Sequence, residues 1–118
     1  MEKMPFEKYI LVNETFIVDH SISNNWAEWV SQNLLIALSD EKINNLLLSR
    51  ILTDFNHDGE SYALQYIVPE STFKAIPINS EIQQIRKKMF DIFKDKMASF
   101  QTQMEILEAK NMDLKIIE

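Results

Sequence analysis

The chain has no cysteine, one glycine and three prolines among 118 residues. Without Cys there is no disulfide framework, no thiolate nucleophile and no zinc site built on thiolates, a composition that suits a reducing cytoplasm. With one Gly there is no phosphate-cradling loop, no dinucleotide fingerprint and no nucleophile elbow, which excludes most nucleotide enzymes. No apolar run approaches the ~20 residues of a membrane-spanning helix, and Met1-Glu2-Lys3-Met4-Pro5 lacks the apolar stretch of a signal peptide. A cytoplasmic protein with no membrane partner is expected. Positive charge is also scarce: 12 Lys+Arg against 18 Asp+Glu leave a net charge of −6. That balance repels phosphate backbones and argues against nucleic acid as a partner. The one basic knot, Arg86-Lys87-Lys88 with Lys94 and Lys96, reads as the solvated face of an amphipathic helix.

What is present is a pattern of alternating and helical periods. Tyr9 to Val18 alternates with period two, as a strand does. Ser23 is a candidate N-cap for a helix carrying Trp26, Trp29, Val30, Leu34 and Ala37 on one stripe. Leu46 to Phe55 and Ser61 to Val68 read as two strands joined at Asn56-His57-Asp58-Gly59, where Gly59 would supply φ > 0 at no steric cost. Glu70 to Asn79 is a connection with room for a helical turn. Ser80 with Gln83 reads as a capping box opening a second helix through Ile82, Ile85, Met89, Ile92 and Phe93. Met97 to Leu107 alternates again as a fourth strand, and Ala109 to Glu118 forms a charged tail.

The order β-α-β-β-α-β is that of a ferredoxin-like α+β fold: a four-stranded antiparallel sheet with two helices on one face. One domain is expected over residues 1–118, with its core at about 9–107, and a chain of this length buries about two thirds of its unfolded surface. If the more apolar set of each strand meets the helices, Phe16, Val18, Leu64, Tyr66, Phe100, Met104 and Ile106 are core. The other face then carries Asn13, Thr15, Gln65, Ser99, Gln101 and Gln103, polar but nearly uncharged, and suits a wet interface or a shallow pocket. Two such faces packed together give a dimeric α+β barrel, so a homodimer is expected unless the tail covers the sheet.

Asn13 and Thr15 in the first strand, the turn Asp19 to Ile22, Trp26-Ala27-Glu28-Trp29, Gln65-Tyr66, and Phe93, Lys96, Phe100 and Thr102 together resemble a domain-of-unknown-function family of short bacterial proteins. The resemblance covers about Tyr9 to Leu107. It implies a ferredoxin-like fold related to dimeric α+β barrels and no established activity. That family often carries His-Ile-Pro late in its first helix, where this chain has Asn33-Leu34-Leu35, so no role for that His transfers here.

Three groupings bear on chemistry. Asp54-Phe55-Asn56-His57-Asp58-Gly59 matches the opening of an EF-hand loop, but Gln65 stands where a bidentate Glu is needed, and a charged hairpin tip is the simpler reading. His20 and His57 fall at one end of the sheet, on loops that start about 10 Å apart, twice the strand spacing; two exposed loop residues explain them without an acid-base pair or a metal. Glu14 interrupts an apolar alternation and must be paired, with Arg50 and Arg86 as candidates, or lie at a strand end within reach of solvent. No catalytic residue, cofactor or metal is assigned. The leading expectation is a non-enzymatic homodimeric interaction module, open to a protein partner. The alternative is a small-molecule-binding protein or cofactor-independent enzyme of the dimeric barrel type, with Asn13, Trp26, Tyr62, Tyr66 and Gln101 lining a pocket of about 300 Å³ or more.

Overall fold

A computed structural model describes residues 8–41, 43, 45–53 and 59–110. The first alternating run forms β1 (Tyr9–Asp19), whose even positions Val12, Glu14, Phe16 and Val18 are buried while the odd ones stay half-exposed. A 3-10 turn, His20–Ile22, leads into α1 (Ser23–Gln32) and α2 (Leu34–Asp40). Strands β2 (Leu47–Arg50) and β3 (Gly59–Pro69) follow, then the short helix α3 (Glu70–Ala75), α4 (Ser80–Phe93) and β4 (Met97–Glu105). The four strands form one antiparallel sheet in the order β2-β3-β1-β4, with the core between one sheet face and the helices. Trp26, Phe16, Leu34, Leu64, Ile82 and Met89 are its largest fully buried side chains. The architecture is the ferredoxin-like one that the element order predicts.

Local details depart from expectation for physical reasons. The first helix is split at Asn33, which leaves helical geometry at φ −124°. Its side-chain amide donates to the Trp29 carbonyl at 2.9 Å, taking up an oxygen that the break leaves free. Ser23 is not a helix cap; Asp19 caps the preceding 3-10 turn by accepting from the Ser21 backbone N–H at 2.8 Å. Asn79, and not Ser80, caps α4, accepting from Ile82 N–H at 2.9 Å. β2 is much shorter than Leu46 to Phe55. Residues 54–58, which hold the expected turn and the EF-hand-like ligands, lie outside the described residues, as do 111–118 of the tail. Gly59 opens β3 opposite Asp19 without a positive φ. It is needed for space, since a Cβ there would stand 2.4 Å from the Val18 carbonyl oxygen.

The larger correction concerns β4. Opposed residues in an antiparallel ladder point to the same face, and the register sets Phe16 against Ser99, Glu14 against Gln101 and Val12 against Gln103. Ser99, Gln101 and Gln103 therefore point to the helix side. Phe100 and Met104 point to the open side, with Thr15 and Leu11 as partners. Gln101 and Gln103 are nevertheless exposed, because β4 is an edge strand that the helices do not roof over.

Candidate functional site

The middle of the helix side holds a buried ion pair. Glu14 lies mid-strand on the β1 face that fills the core and is only 4% exposed, so its carboxylate requires a partner. Arg86, one turn inside the polar flank of α4, reaches down and donates from both terminal nitrogens, at 2.9 and 2.6 Å, to the two carboxylate oxygens. The basic knot is thereby divided: Arg86 turns inward, while Lys87 pairs with Asp91 at 2.9 Å on the surface. Burial alone would lower the Arg86 pKa, but the hydrogen bonds and charge of Glu14 outweigh it and hold the guanidinium above its ordinary value. The nearby Tyr66 phenol is pushed up to about 12, chiefly by burial and secondly by the Glu14 charge, with Arg86 opposing.

Beside this pair lies a cavity of about 120 Å³. Leu64 and Tyr66 of β3, Glu14 of β1, and Gln101 and Gln103 of β4 form its floor; the helical layer supplies Leu38, Phe73, Ile82 and Arg86. The floor thus grades from apolar over β3 to amide-bearing over β4.

A second polar cluster sits at the end of the sheet where β1 leads into α1. The Ser23 hydroxyl lies 2.8 Å from Glu60 Oε1 and 2.5 Å from the Tyr62 hydroxyl, which itself donates to Glu60 at 3.0 Å. Arg50 Nε stands 3.4 Å and His20 Nδ1 3.8 Å from the same carboxylate. The Ser23 and Tyr62 hydrogen bonds hold the Glu60 carboxyl below its ordinary range against burial, with weaker help from the Arg50 and His20 charges. These hydrogen bonds tie the start of α1, at Ser23, to Glu60 and Tyr62 of β3. Sequence reading missed the cluster because Arg50 and Tyr62 meet only through the β2–β3 register.

The predicted pocket set is not brought together. Tyr66 and Gln101 line the cavity, Asn13 points to the open face, and Trp26 and Tyr62 are core. Trp26 packs between Phe16 and Tyr62, with ring centroids 4.9 and 4.8 Å away, and its indole N–H donates to Met97 Sδ at 2.9 Å. Of the predicted interface set, Asn13, Thr15 and Gln65 lie on the open face as expected. There they join Thr102 in a polar strip, within which Asn13 Nδ2 donates to Thr15 Oγ1 at 3.1 Å. Around the strip stand Leu11, Ile17, Leu47, Ile67, Phe100 and Met104, of which Leu47 and Phe100 are each 57% exposed. Gln65, at the place of the EF-hand glutamate, is committed to this sheet face. His57 lies outside the described residues. Among the described residues no helix is long and apolar enough to cross a membrane.

A family model described as a domain of unknown function, DUF4286, matches residues 9–107. The chain belongs to this family. No curated protein matches it. Among solved structures it is similar to a dimeric ferredoxin-like protein from an uncultured marine organism, 8% identical, with 88% of this chain and 100% of that one covered and a TM-score of 0.71. It is also similar to a protein from Caulobacter crescentus CB15 described as a "putative antibiotic biosynthesis monooxygenase", 14% identical, with coverage of 87% and 93% and a TM-score of 0.68. A third is a NIPSNAP family protein from Agrobacterium tumefaciens str. C58, 9% identical, with coverage of 92% and 94% and a TM-score of 0.58. At these identities the likeness establishes the ferredoxin-like fold of this DUF4286 chain and nothing further.

Proposed function

We propose that this DUF4286 protein is a homodimeric interaction module in which two copies close their open sheet faces on each other. The observation that carries this reading is the orientation of β4: Phe100 and Met104 point away from the helices, onto the face that also bears Leu11, Ile17, Leu47 and Ile67. Strands of nine to eleven residues, with one short edge strand, make a face of roughly 600 Å² in projection. That is of the order of the ~800 Å² per partner in a standard interface. A two-fold axis through the face sets each polar strip against its copy, so Asn13, Thr15, Gln65 and Thr102 fix the register while the surrounding apolar residues supply the burial. That the marine ferredoxin-like protein is described as dimeric supports a dimer here. Light scattering on a size-exclusion column is expected to return twice the 13.9 kDa chain mass; a monomer at high concentration would overturn the reading.

A second reading, a small-molecule-binding protein or cofactor-independent enzyme of the dimeric barrel type, is supported by the cavity over the Glu14–Arg86 pair and by the name given to the Caulobacter protein. The cavity is well below the ~300 Å³ at which drug-sized pockets begin, so any ligand is small.

A further inference from the structure

We infer that the Glu14–Arg86 cavity takes an uncharged single-ring compound carrying a hydroxyl or amide at one edge. This rests on the small-molecule reading of the cavity and is independent of the dimer. Size sets the first limit: about 120 Å³ is near the ~150 Å³ of a cavity that holds benzene. Charge sets the second. Glu14 and Arg86 already neutralise each other through two hydrogen bonds, so an anion would have to draw Arg86 from Glu14, and a cation Glu14 from Arg86. Either exchange strands a buried charge.

Polarity decides what the ring must carry. Among the described residues no hydrogen bond reaches the Tyr66 hydroxyl, although Tyr66 is only 6% exposed and lines the cavity. Raised to about 12, this phenol stays protonated at neutral pH and can both donate and accept. Gln103 Nε2 donates to Gln101 Oε1 at 2.7 Å, which leaves the Gln101 amide N–H and the Gln103 carbonyl oxygen for a guest. Leu38, Leu64, Phe73 and Ile82 give the ring its apolar seat. A neutral hydroxyl or amide edge matches these groups without disturbing the ion pair.

Phenol, benzoate and benzylammonium are nearly the same size and differ in charge, so they serve as probes in 1H–15N spectra of the full chain. Phenol at millimolar concentration is expected to shift the Gln101 and Gln103 side-chain amides and the Arg86 Nε–H resonance. The charged probes should bind at least about tenfold more weakly. Gln103→Trp and Gln83→Trp, at exposed positions on β4 and α4 that border the cavity, should abolish the phenol shifts while leaving distant resonances in place. A charged probe binding as tightly as phenol overturns the charge rule and leaves the site standing. Silence from all three probes removes the small-molecule reading together with this inference. Phenol shifts that persist undiminished in both Trp variants place binding elsewhere and overturn it.

Discussion

At the scale of single residues, two carboxylates bear on the chain's stability: Glu14, which sequence reading singles out with Arg86 as a candidate partner, and Glu60, which it passes over. Glu14 is buried and bidentately bound, so removing Arg86 alone strands a charge; Arg86→Met is expected to cost about 3 kcal/mol, at the low end for a buried pair because Arg86 keeps some exposure. Replacing both residues by Met removes the desolvation cost together with the attraction, and is expected to cost clearly less than the two single changes added together. A double-mutant cycle by urea denaturation reads this directly, and additive losses would mean that the pair does not act as a unit. Glu60 contributes to the acid limb of stability, beside Asp19, whose carboxyl the Ser21 hydrogen bonds also hold low. The Glu60 carboxyl is held below its ordinary value by the Ser23 and Tyr62 hydrogen bonds, so the folded state binds its proton less readily than the unfolded chain does. The resulting stabilisation is fully present above about pH 4.5 and is lost as pH falls through the depressed folded value. Glu60→Gln should therefore lower stability at neutral pH and flatten the loss below about pH 4.5. Parallel melting-temperature profiles for the two proteins would refute that assignment.

At the scale of elements, periodicity carries further than side-chain chemistry at the ends. The alternation in β1 and β3 gives the right element type and the right buried set, and the helical spacing from Ile82 to Phe93 gives the right element with Ile82, Met89 and Phe93 buried, while Ile92 of the expected stripe is exposed. Caps are less legible, since Asn79 and Ser80 are both good capping residues and only backbone geometry selects between them. The structure selects Asn79, whose φ and ψ are extended and whose side chain reaches Ile82 N–H. Asn79→Ala is accordingly expected to cost about 1 kcal/mol and Ser80→Ala less than about 0.5 kcal/mol, by thermal or urea unfolding. The reverse order would move the start of α4. The strand β4 was legible as a strand but not as to its orientation. Period two says that its two faces differ, not which of them meets the helices. The assumption that the apolar face is the helix-facing one fails here, because the helical layer stops short of this edge while the opposite face carries its own apolar set. The two members of the expected pocket that do line the cavity, Tyr66 and Gln101, were within reach of sequence reading. Trp26 and Tyr62 were not separable from them without knowing that Trp26 packs between Phe16 and Tyr62.

At the scale of the whole molecule, one strand carries two adjacent side chains with opposite duties, and this gives the sharpest test of the assembly. Phe100 and Gln101 are neighbours in β4, both exposed in the single chain, and they point to opposite sides of the sheet. If two copies join through the open face, a charge at position 100 is driven into an apolar interface, where it must be desolvated without a partner. Phe100→Glu should then shift the protein from dimer to monomer at micromolar concentration. Its far-ultraviolet circular dichroism should stay unchanged, because the helix-facing core is untouched. Gln101→Glu introduces the same charge one residue along, on the cavity side, and should leave the dimer intact. Sedimentation equilibrium of the two variants separates the outcomes. A Phe100→Glu protein that remains dimeric, or a Gln101→Glu protein that falls apart, would locate the contact somewhere other than the sheet face. Both variants add one negative charge to the same strand, so the difference between them reports on which side of the sheet the second copy lies.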